Sequence, residues 1–141
     1  MGIVMVSLNC FMPVLAQNLD TSFPFDESVL RIERLSPFKG LIMDYQGQQR
    51  YTNIKFNPYT HTVTGNGLCN KFVGRFSQNG NQLTLSDIKK SNIKCLSEDV
   101  NQQDNRFFQR LQILSSYEIL GKVVKFLDSK KHVVMMARSI K

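Results

Sequence analysis

The 141-residue sequence contains no tryptophan, only two histidines and only three cysteines, and these low counts limit the chemistry it can carry. No CxxC or HxxxH spacing occurs, so His61 and His132 do not complete a metal site with the cysteines. No carboxylate pair and no Ser/His/Asp set stands out as catalytic machinery. We therefore expect a protein that is not an enzyme, with no catalytic residues, no metal ligands and no cofactor.

The chain also lacks repeats, low-complexity tracts and any sign of a second domain. Its composition, 42% hydrophobic and 21% charged, is that of an ordinary soluble globular protein, and its length is sufficient for one core. The net charge is +7, but the cations are scattered and form no arginine-rich arm or basic–aromatic motif. Nucleic acid is therefore not an expected partner.

Charge is missing altogether from the first 17 residues, MGIVMVSLNCFMPVLAQ. Their apolar run is shorter than the roughly 20 residues of a membrane-spanning helix, and it ends in Val14-Leu15-Ala16, a small-x-small pattern. We expect residues 1–16 to be a secretory signal peptide, which implies export to the periplasm or cell envelope. Because no Lys or Arg precedes the run, a buried N-terminal strand is an alternative. Lipidation of Cys10 is another, although Asn9 occupies a position where a lipobox has a small residue.

Short apolar segments separated by turn signals follow a polar linker or arm at residues 17–27. Residues 28–141 are expected to form one domain. Asn79-Gly80 between apolar runs is a strong hairpin signal. Candidate strands are Val29–Leu35 (or a short helix), Leu41–Tyr45, Tyr51–Phe56, His61–Thr64, Lys71–Ser77, Gln82–Leu85, Lys122–Leu127 and His132–Ala137.

One helix is predicted over about residues 101–115. Asn101 is its expected N-cap, with Asp104 as a weak capping-box partner. An apolar stripe at helical spacing indicates packing against a sheet and consists of Phe107, Phe108, Leu111 and Leu114. The predicted fold class is α+β: a curved, partly barrel-like antiparallel sheet of short strands, with one main helix before the last hairpin.

The densest local signal is GNGLCNKFVGRF, Gly65 to Phe76. Glycines inside a strand mark bulges and bends, so this stretch predicts a sharply kinked strand. In an exported protein, Cys69 and Cys95 are most simply a disulfide, and closing their loop would stabilise the fold by about 3.5 kcal/mol. The alternative, a nucleophilic Cys69 with His61 as base, is disfavoured because a paired cysteine is inert.

The residues from Gly67 to Phe76, GLCNKFVGRF, resemble the G-x-C-N-x-F-x-G-x-Y/F signature of META domains, the HslJ-like family of small bacterial envelope proteins. The matching motif residues are Gly67, Cys69, Asn70, Phe72 and Gly74. The order of later elements is also similar: Ile88 to Cys95, with Ser91 inside it, then a helix, then Tyr117 to Gly121. The family's glutamate at the helix start corresponds to Asp104 or Asn105. The resemblance covers about Tyr51 to Ala137.

This resemblance implies an antiparallel, partly barrel-like sheet with one helix. It implies no catalytic residues, because the family has no agreed reaction. It also suggests roles in envelope stress or drug tolerance, and a loose likeness to secretion pilot proteins that hold a lipid or peptide in a cracked barrel.

The leading functional hypothesis is an exported, non-enzymatic envelope protein that supports stress tolerance or assembly by binding another molecule. Alternatives are a pilot-type secretion accessory protein, with a lipid or peptide in an apolar groove near Phe107, Phe126 and Met135, or a hydrolase inhibitor.

The candidate binding surface is the final hairpin, whose cations are Lys122, Lys125, Lys130 and Lys131. Strand alternation should put Val124 and Phe126 on the face opposite Lys125. An acidic or amphiphilic envelope partner, or a peripheral contact with an anionic membrane, would suit this surface.

Overall fold

The computed structural model of the protein describes residues 24, 29–36, 44–45, 48–49 and 51–140. The predicted signal peptide, which includes Cys10, lies outside these residues. So do residues 17–27 apart from Pro24, and the first three residues of the Leu41–Tyr45 segment.

Ten strands and one helix are assigned in the described part of the chain. In chain order they are β1 (Val29–Leu35), β2 (Asp44–Tyr45), β3 (Gln48–Gln49), β4 (Asn53–Asn57), β5 (Thr62–Asn66), β6 (Lys71–Asn79), β7 (Gln82–Lys90), α1 (Glu98–Ile113), β8 (Ser116–Leu120), β9 (Val123–Leu127) and β10 (Val133–Ser139).

Eight of these strands close into a ring in the order β1-β10-β9-β8-β7-β6-β5-β4, and every pairing is antiparallel. The ring is weakest between β7 and β8, which share the single ladder pair Gln82 and Ser116. Helix α1, inserted in the chain between these two strands, packs against β7 and β1. The ring is therefore not a regular barrel, and the predicted fold, a curved antiparallel sheet with one helix, is confirmed.

The core lies inside the ring, because apolar side chains alternate with polar ones along the strands. In β4, Ile54 and Phe56 are buried while Lys55 between them is exposed, as the alternation predicts. The predicted helix stripe closes this core from one side. Its four members, Phe107, Phe108, Leu111 and Leu114, are all buried. No helix in the described residues has the length and apolar character needed to cross a bilayer.

The start of the helix and the number of strands differ from the prediction. Helix α1 begins at Glu98 rather than near residue 101, and its N-cap is Ser97, whose Oγ accepts hydrogen bonds from the amides of Asp99 and Val100. Asn101 is inside the helix. The segment that joins the helix to the last hairpin is itself a strand, β8, where the sequence predicted no strand before Lys122.

The segment from Gly65 to Phe76 is not one kinked strand. Strand β5 ends at Asn66, a four-residue loop follows, and β6 begins at Lys71. The glycines also predicted a bulge or bend, and one lies in β6. The pairing of β6 with β7 shifts register between Val73 and Arg75, around Gly74. At Val29–Leu35, where the sequence left strand and helix open, the structure has a strand.

Candidate functional site

The loop Gly67–Asn70, here called the motif loop, joins β5 to β6. It folds back on itself through a hydrogen bond from the amide of Gly67 to the carbonyl of Asn70, at 2.7 Å. The Leu68 side chain is buried beside Cys95 and Val100 in a small apolar cluster separate from the main core. The loop is therefore packed into the molecule on its side-chain face and needs partners for its backbone amides.

The carboxylate of Asp104, on helix α1, supplies those partners. Its Oδ1 accepts from the amides of Leu68 at 2.5 Å and Cys69 at 3.2 Å. Its Oδ2 accepts from the amide of Asn70 at 3.1 Å and from the Asn70 side-chain Nδ2 at 2.9 Å. Three consecutive backbone N–H groups thus converge on the oxygens of one carboxyl group.

Asp104 is 2% exposed, and no lysine or arginine in the described part of the chain pairs with it. Burying a carboxyl group is costly unless hydrogen bonds replace its hydration. Here the four donors of the motif loop do so. The helix and the loop are separated by more than 30 residues of sequence, so this contact fixes the position of α1 relative to the β5–β6 hairpin.

Asn70 extends the network to a third segment, the chain between β7 and α1. Its Nδ2 donates to the carbonyl of Ile93 at 3.1 Å as well as to Asp104. Its Oδ1 accepts from the amide of Ile93 at 2.7 Å and from the Ser91 hydroxyl at 2.9 Å. Both donors and both acceptor sites of the side-chain amide are used, so the residue acts as a structural bridge.

The predicted disulfide between Cys69 and Cys95 lies in the same network. The Cα atoms are 6.1 Å apart, and the bond closes a loop with a sequence separation of 26. Cys69 Sγ lies 3.4 Å from Asp104 Oδ2, and Cys95 is buried. These two sulfurs and the Asp104 carboxylate are close enough to suggest a three-ligand metal site, but both sulfurs are consumed by their mutual bond.

Gly67 leaves room for the carboxylate. A Cβ built on this residue would collide with Asp104 Oδ1 and would lie 3.3 Å from the Phe108 ring. We expect Gly67→Ala to lower the free energy of unfolding by about 1–3 kcal/mol, because the clash pushes the carboxylate away from its donors. Chemical denaturation of the purified variant measures this loss.

The matched control for this prediction is Gly121→Ala in the β8–β9 turn. Gly121 has a φ of +63° with nothing within 4 Å of the added Cβ, so its cost is purely conformational, about 1 kcal/mol. Gly67 carries no such positive φ. A Gly67→Ala variant as stable as the wild-type protein would show that the carboxylate does not need this space.

The other motif residues shape the sheet. Phe72 is buried and makes edge contacts with Phe107 at 5.9 Å and Phe108 at 5.7 Å. A Cβ at Gly74 would approach the carbonyl oxygen of Ser86 at 3.1 Å, so the glycine allows β6 and β7 to stay close at the bulge. Every residue of the family motif therefore has a structural role in this molecule.

The four hairpin lysines do not form one patch. Lys122 lies in the β8–β9 turn, and Lys130 and Lys131 lie in the β9–β10 turn, at the opposite end of β9. Lys125, between them, is half-buried and is directly opposite Glu118 on β8. Val124 and Phe126 are buried on the other face, as alternation predicted. The hairpin as a binding surface remains a prediction.

The β9–β10 turn is held by Asp128. Its Oδ1 accepts from the amides of His132 and Lys130, both at 2.9 Å, and the bond from His132 is the main reason that the pKa of this carboxyl lies below its ordinary value of 3.8. A lowered pKa means that the carboxylate form contributes stability near neutral pH. That contribution is lost as the pH falls through the folded-state pKa.

Two alternatives considered in the sequence analysis find no support in the geometry. Phe107, Phe126 and Met135 are completely buried in the main core, so they do not line an open apolar groove. His61 precedes β5 and Cys69 follows it, so the length of the strand separates them and they form no nucleophile–base pair. His61 instead contacts the Phe76 ring edge-on at 6.0 Å.

Sequence reasoning missed the role of Asp104, which it interpreted as a weak capping residue. A signal was present: Asp104 is three and four residues before Phe107 and Phe108, on the same apolar stripe of the helix. A single carboxylate on a buried stripe demands hydrogen-bond donors. Of the two positions that the family resemblance offered for its acidic residue, Asp104 is buried in the network and Asn105 is exposed.

The fold is shared with solved structures. One NMR structure, of a protein from Burkholderia xenovorans, superposes with a TM-score of 0.64 at 11% sequence identity, covering 100% of this chain and 95% of that one. A second NMR structure matches with a TM-score of 0.62 at 16% identity, covering 81% of this chain and 90% of that one. At these identities the likeness shows the fold. A comparison with curated protein sequences gives no significant match.

The family is shown by a sequence-model match. The model of the META domain matches residues 39–140, which includes nine of the ten strands, the helix and the whole motif loop network. The residues that carry the motif are those that connect the β5–β6 hairpin to α1 through Asp104, Asn70 and the disulfide. This chain therefore belongs to the META domain family.

Proposed function

We propose that this protein is an exported, non-enzymatic META domain that acts by binding another molecule of the cell envelope, in support of stress tolerance or assembly. The proposal rests on the observation that the most reactive side chains near the motif loop are already bonded to other groups of the protein. The Asp104 carboxylate is occupied by four donors, and Cys69 and Cys95 are bonded to each other. These three side chains therefore stabilise the fold, and their bonds leave them no catalytic role in this proposal.

Export is supported by two features that do not depend on each other. Disulfides persist in oxidising compartments, and the Cys69–Cys95 bond stabilises a loop of this domain. The uncharged run before Gln17 has the length and the small-residue ending of a secretory signal.

The first test of the proposal is the mature N-terminus. Protein recovered from the native cell envelope should begin at Gln17 when sequenced, because signal peptidase requires the small residue Ala16. An Ala16→Phe variant should accumulate unprocessed, which serves as the control for cleavage at this bond. Soluble cytoplasmic protein that retains residues 1–16 would contradict export.

The second test addresses the hairpin as a binding surface. Lys125→Glu combined with Lys130→Glu should reduce binding to anionic lipid vesicles by at least about tenfold, because the double reversal removes two attractive charges and adds two repulsive ones. Raising the salt concentration should also weaken the binding of the wild-type protein to the vesicles, because salt screens the attraction. Vesicle co-sedimentation measures both effects.

Lys125→Arg combined with Lys130→Arg preserves the charge and is the matched control, expected to bind like the wild-type protein. The melting temperature of the arginine variant should be nearly unchanged, because Lys130 is exposed and Lys125 is half-buried on the outer face. The glutamate variant should melt slightly lower, because Lys125→Glu places a carboxylate directly opposite Glu118. Vesicle binding that survives the charge reversal would remove the hairpin from consideration.

A further inference from the structure

The outer face of β4, β5 and β6 carries cations and no acidic residue. No Asp or Glu occurs between Asp44 and Asp87, a stretch that includes all three strands. Along β6, the exposed Lys71, Val73 and Arg75 alternate with buried residues, so the cations point outward. We call this outer surface of the three strands the basic face. It differs from the final hairpin, where Glu118 and Asp128 accompany the lysines.

Strand register arranges this face in two rows. In the first row, Asn53 of β4 pairs with Asn66 of β5, which pairs with Lys71 of β6. In the second row, Lys55 pairs with Thr64, which pairs with Val73. Lys71 and Lys55 are thus at opposite corners of a small patch of amide and hydroxyl side chains. Neither lysine forms an ion pair within the described part of the chain.

Two adjoining depressions open on this patch. One, of about 220 Å³, is bounded by Tyr51 and the motif loop. The other, of about 410 Å³, extends over Lys55, Thr64 and Val73. Both are lined by the same three residues, Asn53, Asn66 and Lys71. A ligand larger than one depression would therefore lie across the two asparagines.

The asparagines retain hydrogen-bonding capacity. Asn53 donates to the carbonyl of Tyr51, and its Oδ1 accepts from Asn66 Nδ2 at 3.4 Å. In the described structure Asn66 makes no other side-chain hydrogen bond, which leaves its Oδ1 and one N–H to a ligand. Because Asn66 is half-buried between the two depressions, a bound hydroxyl group can replace the water that it would otherwise contact.

We propose that the basic face binds an acidic sugar, a hydroxyl-rich ring that bears a carboxylate or a phosphate. Lys71 and Lys55 would hold the anionic group, and the amides of Asn66 and Asn53 would hydrogen-bond the ring hydroxyls. The inference deepens the proposed binding function by naming a surface and a ligand class. An acidic peptide would use the charge of the lysines but leave the amide pair of Asn53 and Asn66 without matching hydroxyls.

The test is a titration of the purified domain with four defined probes, followed by NMR of backbone and asparagine amides. Oligogalacturonate carries carboxylates on sugar rings, glucose 6-phosphate carries a phosphate, a neutral galactose oligomer carries neither, and poly-glutamate carries carboxylates without sugar. We expect oligogalacturonate or glucose 6-phosphate, or both, to shift the Asn66 side-chain amide and the backbone amides of Asn66 and Lys71. The neutral oligomer should not.

The decisive variant combines Lys55→Gln with Lys71→Gln. It should weaken binding of the acidic sugar by at least about tenfold, because each lost charged hydrogen bond has an effect of this order. Asn66→Ala should weaken it about threefold to tenfold without changing the net charge. The matched control, Lys125→Gln with Lys130→Gln, removes the same charge from the hairpin and should leave sugar affinity unchanged.

Three results would overturn the inference. Poly-glutamate binding as tightly as oligogalacturonate would mean that the face detects charge and not sugar. A hairpin variant that loses as much affinity as the Lys55/Lys71 variant would remove the basic face as the site. Failure of both acidic sugars to bind would reject the ligand class, whereas the proposed binding function would still be decided by the vesicle experiment on wild-type protein.

Discussion

Replacing Asp104 with alanine is expected to lower the free energy of unfolding by about 3–5 kcal/mol, because it leaves buried donors without an acceptor. The amides of Leu68 and Cys69 and the side-chain Nδ2 of Asn70 all bond to this carboxylate. Leu68 and Asn70 are buried, so their donors cannot turn to water without opening the motif loop. Urea denaturation followed by circular dichroism measures the loss.

Asp104→Asn separates the role of charge from that of shape. The amide keeps one acceptor oxygen but places an NH₂ group against donors, so we expect a loss of about 2 kcal/mol or more. Asp99→Asn is the matched control, because it removes an exposed carboxylate from the first turn of the same helix and should cost no more than about 0.5 kcal/mol. Equal, small losses at the two positions would mean that the buried carboxylate does not organise the loop.

Removing the disulfide is expected to have the next largest effect. Cys69→Ala combined with Cys95→Ala should lower the free energy of unfolding by about 2–4 kcal/mol, since the unfolded chain regains the freedom of a loop with a separation of 26 residues. The fold should remain recognisable, because the ring and the main core do not depend on this bond. Non-reducing peptide mapping of the wild-type protein should join the Cys69 and Cys95 peptides.

Reductant provides the control for this experiment. Dithiothreitol should destabilise the wild-type protein by a similar amount and leave the double-alanine variant unaffected. Combining the double variant with Asp104→Asn should give a loss that differs from the sum of the two by more than about 0.5 kcal/mol, because both changes act on the motif loop. Free thiols at both positions in protein from an oxidising compartment would contradict the disulfide.

The sequence predicted those parts of the fold that local patterns determine. Alternation in the Tyr51–Phe56 segment placed Ile54 and Phe56 inside, and helical spacing placed Phe107 and Leu111 against the sheet. The helix start was misplaced because residues 98–103 are mostly polar, which hides the first turn from any hydrophobic pattern. Ser97 was the better N-cap candidate, since its hydroxyl is followed by an acidic first turn.

Strand β8 was missed for a different reason. Its burial pattern is not alternating: Ser116 and Tyr117 are buried in succession, and Glu118, Ile119 and Leu120 are exposed in succession. Most of β8 is paired only with β9, because the seam with β7 has a single ladder pair. Without alternating burial, β8 carries no period-2 signal in the sequence.

The candidate site required the tertiary structure because its parts are distant in sequence. Cys69 and Cys95 could be paired by reasoning about compartment, but Asp104 meets the motif loop across 34 to 36 residues, which no local pattern encodes. The basic face likewise depends on strand register, since Lys55 and Lys71 share one face only because β4 and β6 both pair with β5. The hairpin lysines, close in sequence, are instead spread along β9.

Hydrogen exchange of three backbone amides tests most directly whether the META motif serves to hold the motif loop to helix α1 through Asp104. In the wild-type protein the amides of Leu68, Cys69 and Asn70 should exchange slowly, although they lie in a loop, because each donates to the Asp104 carboxylate. In Asp104→Ala, which removes both acceptor oxygens, these three amides should exchange much faster while the ladder amides of β5 and β6 keep their protection. Fast exchange of the three amides in the wild-type protein would contradict the structural role assigned to Asp104 and the motif loop.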